Sequence, residues 1–141
     1  MKKVFSGIVC MALVLCMIFT LASCGDKAES IKKAFEEKGY KVETVDTNND
    51  TAKGIMKIFL SDDQIEKVGE YELILCTNGI VNTAIIIKFP AESDVKDFLT
   101  VEKDGEKNTS AYDAAKENGT LNGNCLIFTV SSEAKEIFKK A

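Results

Sequence analysis

The residues of this 141-residue chain that could do chemistry are five cysteines and several clusters of carboxylates and serines. The chain contains no His, no Arg and no Trp. Without an imidazole, a Ser–His–Asp triad and a His-ligated zinc site are excluded, and without arginine so are bidentate clamps on phosphate. We therefore expect a protein that is not an enzyme, with no catalytic residues, no metal site and no cofactor.

Three groups of carboxylates come closest to an acid–base pair, but none stands beside a glycine-rich phosphate loop or a G-x-S-x-G motif. We interpret them as charged surface. The polar run 46–50 lacks the spacing of a calcium loop and the bidentate Glu at its twelfth position. The three groups are Asp62-Asp63, Glu92-Asp94-Asp97 and Glu70-Glu72.

The first twenty-five residues have the organisation of a signal sequence. Lys2 and Lys3 precede an uncharged run from Val4 to Gly25, most of it apolar. A basic start followed by an apolar stretch is typical of a secretory signal peptide. A run of about twenty apolar residues is also long enough to span a bilayer, so an uncleaved anchor is the alternative.

The run ends in Leu21-Ala22-Ser23-Cys24, which resembles the lipobox of bacterial lipoproteins. The resemblance implies that the Cys24 thiol receives a diacylglycerol and that a peptidase cuts between Ser23 and Cys24. We therefore expect residues 1–23 to be a removed signal peptide, residues 24–29 to be a lipidated tether, and residues 30–141 to form one α+β domain. Cys10 and Cys16 lie inside the apolar run and are interpreted as small hydrophobic residues.

A lipidated Cys24 places the protein on the extracytoplasmic face of the cell membrane. Two acyl chains give lasting attachment, since each buried methylene contributes about 0.8 kcal/mol. After cleavage, 16 lysines oppose 22 acidic residues, which gives a net charge of 16 − 22 = −6. An acidic chain without arginine is not typical of a nucleic-acid-binding protein. The expected partners are membrane lipid, through acylated Cys24, and an envelope protein.

Cap and turn residues divide the remaining chain into a helix, a strand–helix–strand–strand–helix–strand unit and a final helix. The capping box Asp26–Glu29 and Gly39 bound the first helix. The segment between the first two strands is predicted as a short helix from Asp50, a break near Ser61 and a second turn to Val68. The predicted strands are Tyr40–Val45, Tyr71–Thr77, Ile80–Phe89 and Asn124–Val130. The turn Asn78-Gly79 joins the second strand to the third.

This element order is the split βαβ arrangement of ferredoxin-like folds. We predict an α+β fold with a ferredoxin-like four-stranded antiparallel sheet, extra N- and C-terminal helices, and strands in the spatial order fourth, first, third, second. The two-sided apolar run Ala84–Ile87 is expected inside the sheet. A different antiparallel order with helices on one face is the alternative. The predicted order puts Cys76 and Cys125 at opposite edges, too far apart for a disulfide, so both are expected as buried thiols.

Residues 24–141 are also similar to small bacterial lipoproteins of unassigned function. The similarity rests on Lys38–Val42 after a helix, the Asn78-Gly79 hairpin, and Ile127–Glu133 entering the last helix. It implies no active site. We expect a non-enzymatic binding or interaction module.

An accessory solute-binding component of an envelope system is the alternative function, and a small hydrolase is a third. A deep pocket lined by carboxylates and tyrosines would favour solute binding, whereas a broad exposed apolar patch would favour a protein partner. The tyrosines are Tyr40, Tyr71 and Tyr112.

Overall fold

A computed structural model describes residues 27–141 of the chain. They form a five-stranded antiparallel sheet with six helices, which confirms the α+β class. The predicted signal peptide, Asp26 and Cys24 lie outside the described residues. The first helix already begins at Lys27, so residues 27–29, which we assigned to the tether, are helical.

The helices are α1 (Lys27–Glu37), α2 (Asp50–Phe59), α3 (Asp62–Val68), α4 (Glu92–Leu99), α5 (Ser110–Asn118) and α6 (Ser132–Lys140). The strands are β1 (Lys41–Val45), β2 (Glu72–Asn78), β3 (Asn82–Lys88), β4 (Val101–Lys103), β5 (Glu106–Asn108), β6 (Leu121–Asn122) and β7 (Cys125–Thr129).

The strand order of the sheet is β1-β2-β3-β7-β6, and the ferredoxin-like order is wrong. Strand β1 pairs antiparallel with β2, from Lys41 opposite Thr77 to Val45 opposite Leu73, instead of lying between β3 and β7. The reason is the connection between β1 and β2. It contains two helices, α2 and α3, which return the chain to the end of the sheet where β1 finished, so β2 can run back directly beside β1.

Strand β3 is central, as its two-sided apolarity predicts, and helices cover both faces of the sheet. One face carries α1 and α6 over Ile74, Cys76, Ile86 and Ile127. The other carries α2, α3, α4 and α5 over the alternate residues of the same strands. The alternation follows from the strand period of two, and each face has its own apolar core.

Several predicted helix boundaries are confirmed by their capping geometry. Ser61 and Gln64 form the capping box of α3, and the side chain of Ser131 accepts from the N–H of Ala134 at the start of α6. In the polar run 46–50, Asn49 caps α2 by accepting from Ala52 N–H. Ser93 and Ser110 lie within α4 and α5, and the N-cap residues of these helices, Ala91 and Thr109, make no side-chain cap hydrogen bond.

The β2–β3 turn is longer than the Asn78-Gly79 turn predicted from the sequence. Asn78 pairs with Asn82, so the β2–β3 turn has three residues, Gly79–Val81, and Gly79 has a φ of +79°. A second, smaller hairpin is formed by β4 and β5 between α4 and α5. Its turn is Asp104-Gly105, with positive φ at both residues, as a two-residue hairpin turn requires.

Candidate functional site

The two ends of the sheet are distinguished by the turns that close them. The β2–β3 turn, Gly79–Val81, closes one end, which we call the hairpin end. At the other end, Lys27 starts α1 against the turn before β7, where a Cβ on Gly123 would lie 3.2 Å from the Lys27 Cγ. We call this the Lys27 end. The seven residues of β3 separate the two ends by about 20 Å.

The hairpin end exposes apolar side chains at its turn. Ile80 is 100% exposed and Val81 is 74% exposed. Val130 follows β7 at the same end, because Thr129 pairs with Ala84 near the start of β3, and Val130 is 72% exposed. These side chains add nothing to the core of the domain.

The C-terminal turn of α2 extends this apolar surface. Helix α2 begins after the Lys27 end of β1 and runs toward the hairpin end, where the Phe59 ring lies 5.6 Å from the ring of Phe128 on β7. Phe59 is 41% exposed, and its neighbour Ile58 is exposed as well. Of six exposed large hydrophobic residues among residues 27–141, five therefore lie at the hairpin end, and the sixth is Val101 on β4.

A hydrogen-bonded network fixes the backbone beneath these side chains. The buried hydroxyl of Ser131 donates to Asn82 Oδ1 (2.8 Å) while it accepts from the N–H of Ala134 (3.2 Å), so one side chain joins the base of the turn to the start of α6. The Tyr40 hydroxyl donates to Glu133 (3.2 Å) beside it. Burial, followed by that hydrogen bond, raises the pKa of Tyr40. Side-chain hydrogen bonds therefore hold the backbone in place at the base of the hairpin end.

An open groove of about 370 Å³ leads from the hairpin end along β7. It exists because β6 pairs only with Cys125 and Leu126, which leaves the last residues of β7 with no strand on that side. Apolar side chains from four elements line the groove, among them Phe59, Leu60, Leu99, Ala114 and Phe128.

The three tyrosines do not form one binding face. Tyr40 packs in the core under α1 and α6, with its ring against Phe35. Tyr71 and Tyr112 pack on the opposite face of the sheet. These three residues therefore do not line a common pocket.

The carboxylates identified in the sequence as possible acid–base groups form separate ion pairs and hydrogen bonds in the structure. Glu72 pairs with Lys32 and Lys88, whereas Glu92 accepts from the Tyr112 hydroxyl (2.8 Å) and pairs with Lys116 (3.1 Å). The hydrogen bonds from Tyr112 and Lys116 lower the pKa of Glu92. Among residues 27–141, no group of three or more thiols and carboxylates is arranged to hold a metal ion.

Cys76 and Cys125 are both buried, and no disulfide joins them. The expected state is confirmed, but its geometric reason is different. The two strands are neighbours of β3 on either side, and the cysteines lie opposite Ala84 and Lys88, four residues apart along it. Burial raises the pKa of Cys76 to about 12, so its thiol stays protonated and is a poor nucleophile.

The sequence patterns do not predict the hairpin end, because alternation assigns Ile80 and Val81 to a strand inside the sheet. A usable signal was the pair of asparagines at 78 and 82. Asparagine is uncommon inside strands. Asn78 and Asn82 therefore indicate the base of a longer turn, whose middle residues are exposed.

Among residues 27–141, no helix has the length and apolar character needed to cross a membrane. The chain gives no significant match to a protein family, a curated protein or a solved structure. Fold and site together define an α+β domain with an apolar surface at one end of its sheet, and its function is argued from its own residues.

Proposed function

We propose that this protein is a lipoprotein anchored through Cys24 on the extracytoplasmic face of the cell membrane, and that it binds an envelope protein through its hairpin end without catalysing a reaction. The observation that carries the binding proposal is the gathering of five exposed hydrophobic side chains at one end of the sheet. Soluble domains rarely expose such groups together unless the surface contacts another molecule.

The position of the proposed anchor supports this orientation. Cys24 precedes Lys27 by three residues, and three residues of chain reach about 10 Å at most. The Lys27 end of the sheet would therefore stand next to the bilayer. The hairpin end, about 20 Å farther along β3, would point away from the membrane and toward other envelope components.

The chemistry of the surface indicates the chemistry of its partner. The chain from Cys24 onward has a net charge of −6, so acidic side chains outnumber lysines over the protein as a whole. A protein surface with an apolar centre and a lysine- or arginine-rich border would complement this arrangement.

The absence of catalysis is part of the proposal and is supported by the roles of the candidate nucleophiles. Ser61 and Ser131 are helix caps whose hydroxyls are committed to backbone N–H groups. The Cys76 thiol is buried with a pKa of about 12. Each group has a structural role that removes it from the surface or from the reactive state.

Metabolic labelling of the full chain with a radioactive fatty acid tests the anchor. We expect the label on the wild-type protein and on the Cys10→Ala and Cys16→Ala controls, and no label on Cys24→Ala, because only the Cys24 thiol would be alkylated. Persistent labelling of Cys24→Ala would refute lipidation at this residue.

Photo-crosslinking in intact cells tests the binding surface. A photoreactive amino acid at position 81 should crosslink one envelope protein, and an added Ile80→Asp change should abolish that crosslink. The control position is Ala91, which is also exposed but follows β3 at the Lys27 end. A photoreactive group at 91 should not capture the same protein, and equal capture from both positions would contradict the proposal.

A solute-binding component is the second candidate function, and the groove beside β7 is the observation that favours it. Its volume of about 370 Å³ lies within the usual range of ligand pockets. An apolar solute that binds there would raise the melting temperature of the protein, and Phe128→Ala should reduce that rise. A library of apolar solutes that leaves the melting temperature unchanged would remove this candidate.

A further inference from the structure

We propose that Asn78 is a site of spontaneous deamidation, and that the fold selects it from three Asn-Gly sequences. The other two are Asn118-Gly119 and Asn122-Gly123. Asparagine is among the thermolabile residues, and a following glycine has no Cβ to block the approach of its nitrogen. The sequence makes the three sites equivalent, whereas the structure does not.

The reaction needs a mobile asparagine amide and an available nitrogen on the next residue. The Gly79 nitrogen attacks Cγ of Asn78, a C–N bond closes a five-membered succinimide, and the bond from Cγ to Nδ2 breaks. Ammonia leaves with the proton that the Gly79 nitrogen loses. Water then opens either carbonyl of the ring, which gives aspartate or isoaspartate.

Asn78-Gly79 meets both requirements. Asn78 is the last residue of β2, both residues are exposed, and a Cβ on Gly79 would meet no atom within 4 Å. Within residues 27–141, neither the Asn78 side-chain amide nor the Gly79 N–H makes a hydrogen bond. Asn78 and Asn82 form the last pair of the strand ladder, and the hydrogen bond from Ser131 holds the side chain of Asn82 but not that of Asn78.

Asn118-Gly119 lacks the available nitrogen. The Gly119 N–H donates to the carbonyl groups of Ala115 and Lys116 at the end of α5. Gly119 is also buried beneath Lys139, whose Cδ lies 2.8 Å from the position of a Cβ. Attack at this site requires the end of α5 to unfold.

Asn122-Gly123 lacks the mobile amide. The side-chain Nδ2 of Asn122 donates to the carbonyl oxygens of Phe138 (2.8 Å) and Ala141 (3.3 Å), at the C-terminal end of α6. These two hydrogen bonds hold the Asn122 side chain against α6 and away from its own backbone. The carbon that must be attacked is therefore fixed in an unreactive position.

Deamidation of Asn78 would change the hairpin end chemically. The product adds one negative charge beside Ile80 and Val81. When the product is isoaspartate, it also inserts one atom into the backbone at the last pair of the β2–β3 ladder. The inference does not depend on the proposed function, because it rests on the turn geometry alone.

Peptide mass spectrometry of the purified full chain, held in detergent, tests the inference. The protein is incubated in mildly alkaline buffer made with heavy-oxygen water, so that each deamidation event incorporates a heavy atom. In the folded protein, we expect Asn78 to deamidate at least about tenfold faster than Asn118 or Asn122, because only the other two sites require an opening of helix contacts. Equal rates in the folded protein would overturn the proposal.

A denatured sample and a variant provide the controls. In concentrated urea the three sites should react at rates within about threefold of each other, since the contacts that protect two of them are lost. Asn78→Gln should abolish heavy-oxygen incorporation in its peptide while the other two sites keep their rates. Undiminished incorporation in that peptide would show that another residue had been modified, and a tenfold preference that survives in urea would assign the effect to sequence and not to fold.

Discussion

The two ends of the sheet are built from the same strands, but apolar side chains are buried at the Lys27 end and exposed at the hairpin end. At the Lys27 end, asparagine side chains satisfy backbone carbonyls, with Asn122 bonded to Phe138 and Ala141 and Asn124 bonded to Phe89. At the hairpin end, the polar groups are equally well paired through Ser131, but apolar side chains stand outside them.

The difference shows which features folding explains. Phe89 at the Lys27 end is 1% exposed and contacts the rings of Tyr71 and Phe98, so its apolar surface stabilises the core. Ile80 at the hairpin end is fully exposed and stabilises nothing inside the domain. The partner contact proposed above would give this side chain a role that folding does not.

Alanine in place of one phenylalanine at each end gives the largest expected effect. Phe89→Ala leaves a cavity among packed rings and should lower the free energy of unfolding by about 3–5 kcal/mol. Phe59→Ala removes a ring that is already 41% exposed, and it should cost about 1–2 kcal/mol. Urea denaturation followed by circular dichroism measures both.

An equal loss of stability in the two phenylalanine variants would mean that Phe59 is a core residue and does not belong to an exposed apolar surface. The Phe59→Leu variant is the matched control, since it keeps an apolar side chain with less volume. Its cost should be smaller than that of Phe59→Ala.

The dependence of stability on alkaline pH tests whether solvent reaches the residues beneath the turn at the hairpin end. Cys76 lies two residues below the turn, and burial raises its pKa from 9.0 to about 12. A raised pKa means that the stabilisation is present below pH 9 and is lost as the pH rises toward 12. We expect stability to fall by up to about 1.4 kcal/mol per pH unit in that window.

Equilibrium unfolding at several alkaline pH values measures this slope, and Cys76→Ala should reduce it. Tyr40 and Tyr71 also have raised pKa values and contribute in the same direction, so part of the slope will remain. Rapid reaction of Cys76 with a thiol reagent at neutral pH would contradict the prediction, because it would show that solvent reaches beneath the turn.

A pair of asparagines sharpens the comparison of the polar groups. Asn122→Ala at the Lys27 end removes two hydrogen bonds to the carbonyls that end α6, and it should cost about 1–3 kcal/mol. Asn78→Ala at the hairpin end removes an exposed side chain and should change stability by less than about 0.5 kcal/mol. Similar losses in the two variants would show that the Asn78 side chain has a role in folding.

Local chemistry made the caps predictable from sequence. Ser61 three residues before Gln64 is a capping box, and Ser131 before the last helix is a cap, because each side chain acts within its own helical turn. The Asn78-Gly79 hairpin was predictable for the same reason, although its length was not.

The strand order required information that is not local. The sequence indicates two helical pieces between β1 and β2, and treating them as one crossover helix gives a parallel return and a ferredoxin-like order. Two helices reverse the direction of the chain twice, so β2 runs antiparallel to β1 and pairs with it. The topology was therefore decided by the number of helices between β1 and β2, and not by the sequences of the strands.

The hairpin end could not be predicted because its members are distant in sequence. Phe59 ends a helix, Ile80 sits in a turn and Val130 follows a strand, and each pattern taken alone suggests a core residue. Only the strand register brings the three to one end and leaves them exposed.

Ser131→Ala tests the polar support beneath the hairpin end. The change removes the cap of α6 and the hydrogen bond to Asn82, and it should cost about 1–2 kcal/mol. Ser132→Ala is the control, since Ser132 is exposed and makes no capping hydrogen bond. Equal stability of the two variants would show that the network does not support the turn.

Ile80→Ser should have the smallest effect on stability and the most direct bearing on the comparison. The Ile80 side chain is 100% exposed, so its replacement removes no buried surface and should change the free energy of unfolding by less than about 0.5 kcal/mol. The same variant should weaken crosslinking from position 81 to the proposed partner, because an apolar side chain is lost from the centre of the contact. A large loss of stability would assign Ile80 to folding, and the exposed apolar surface would then need no partner to explain it.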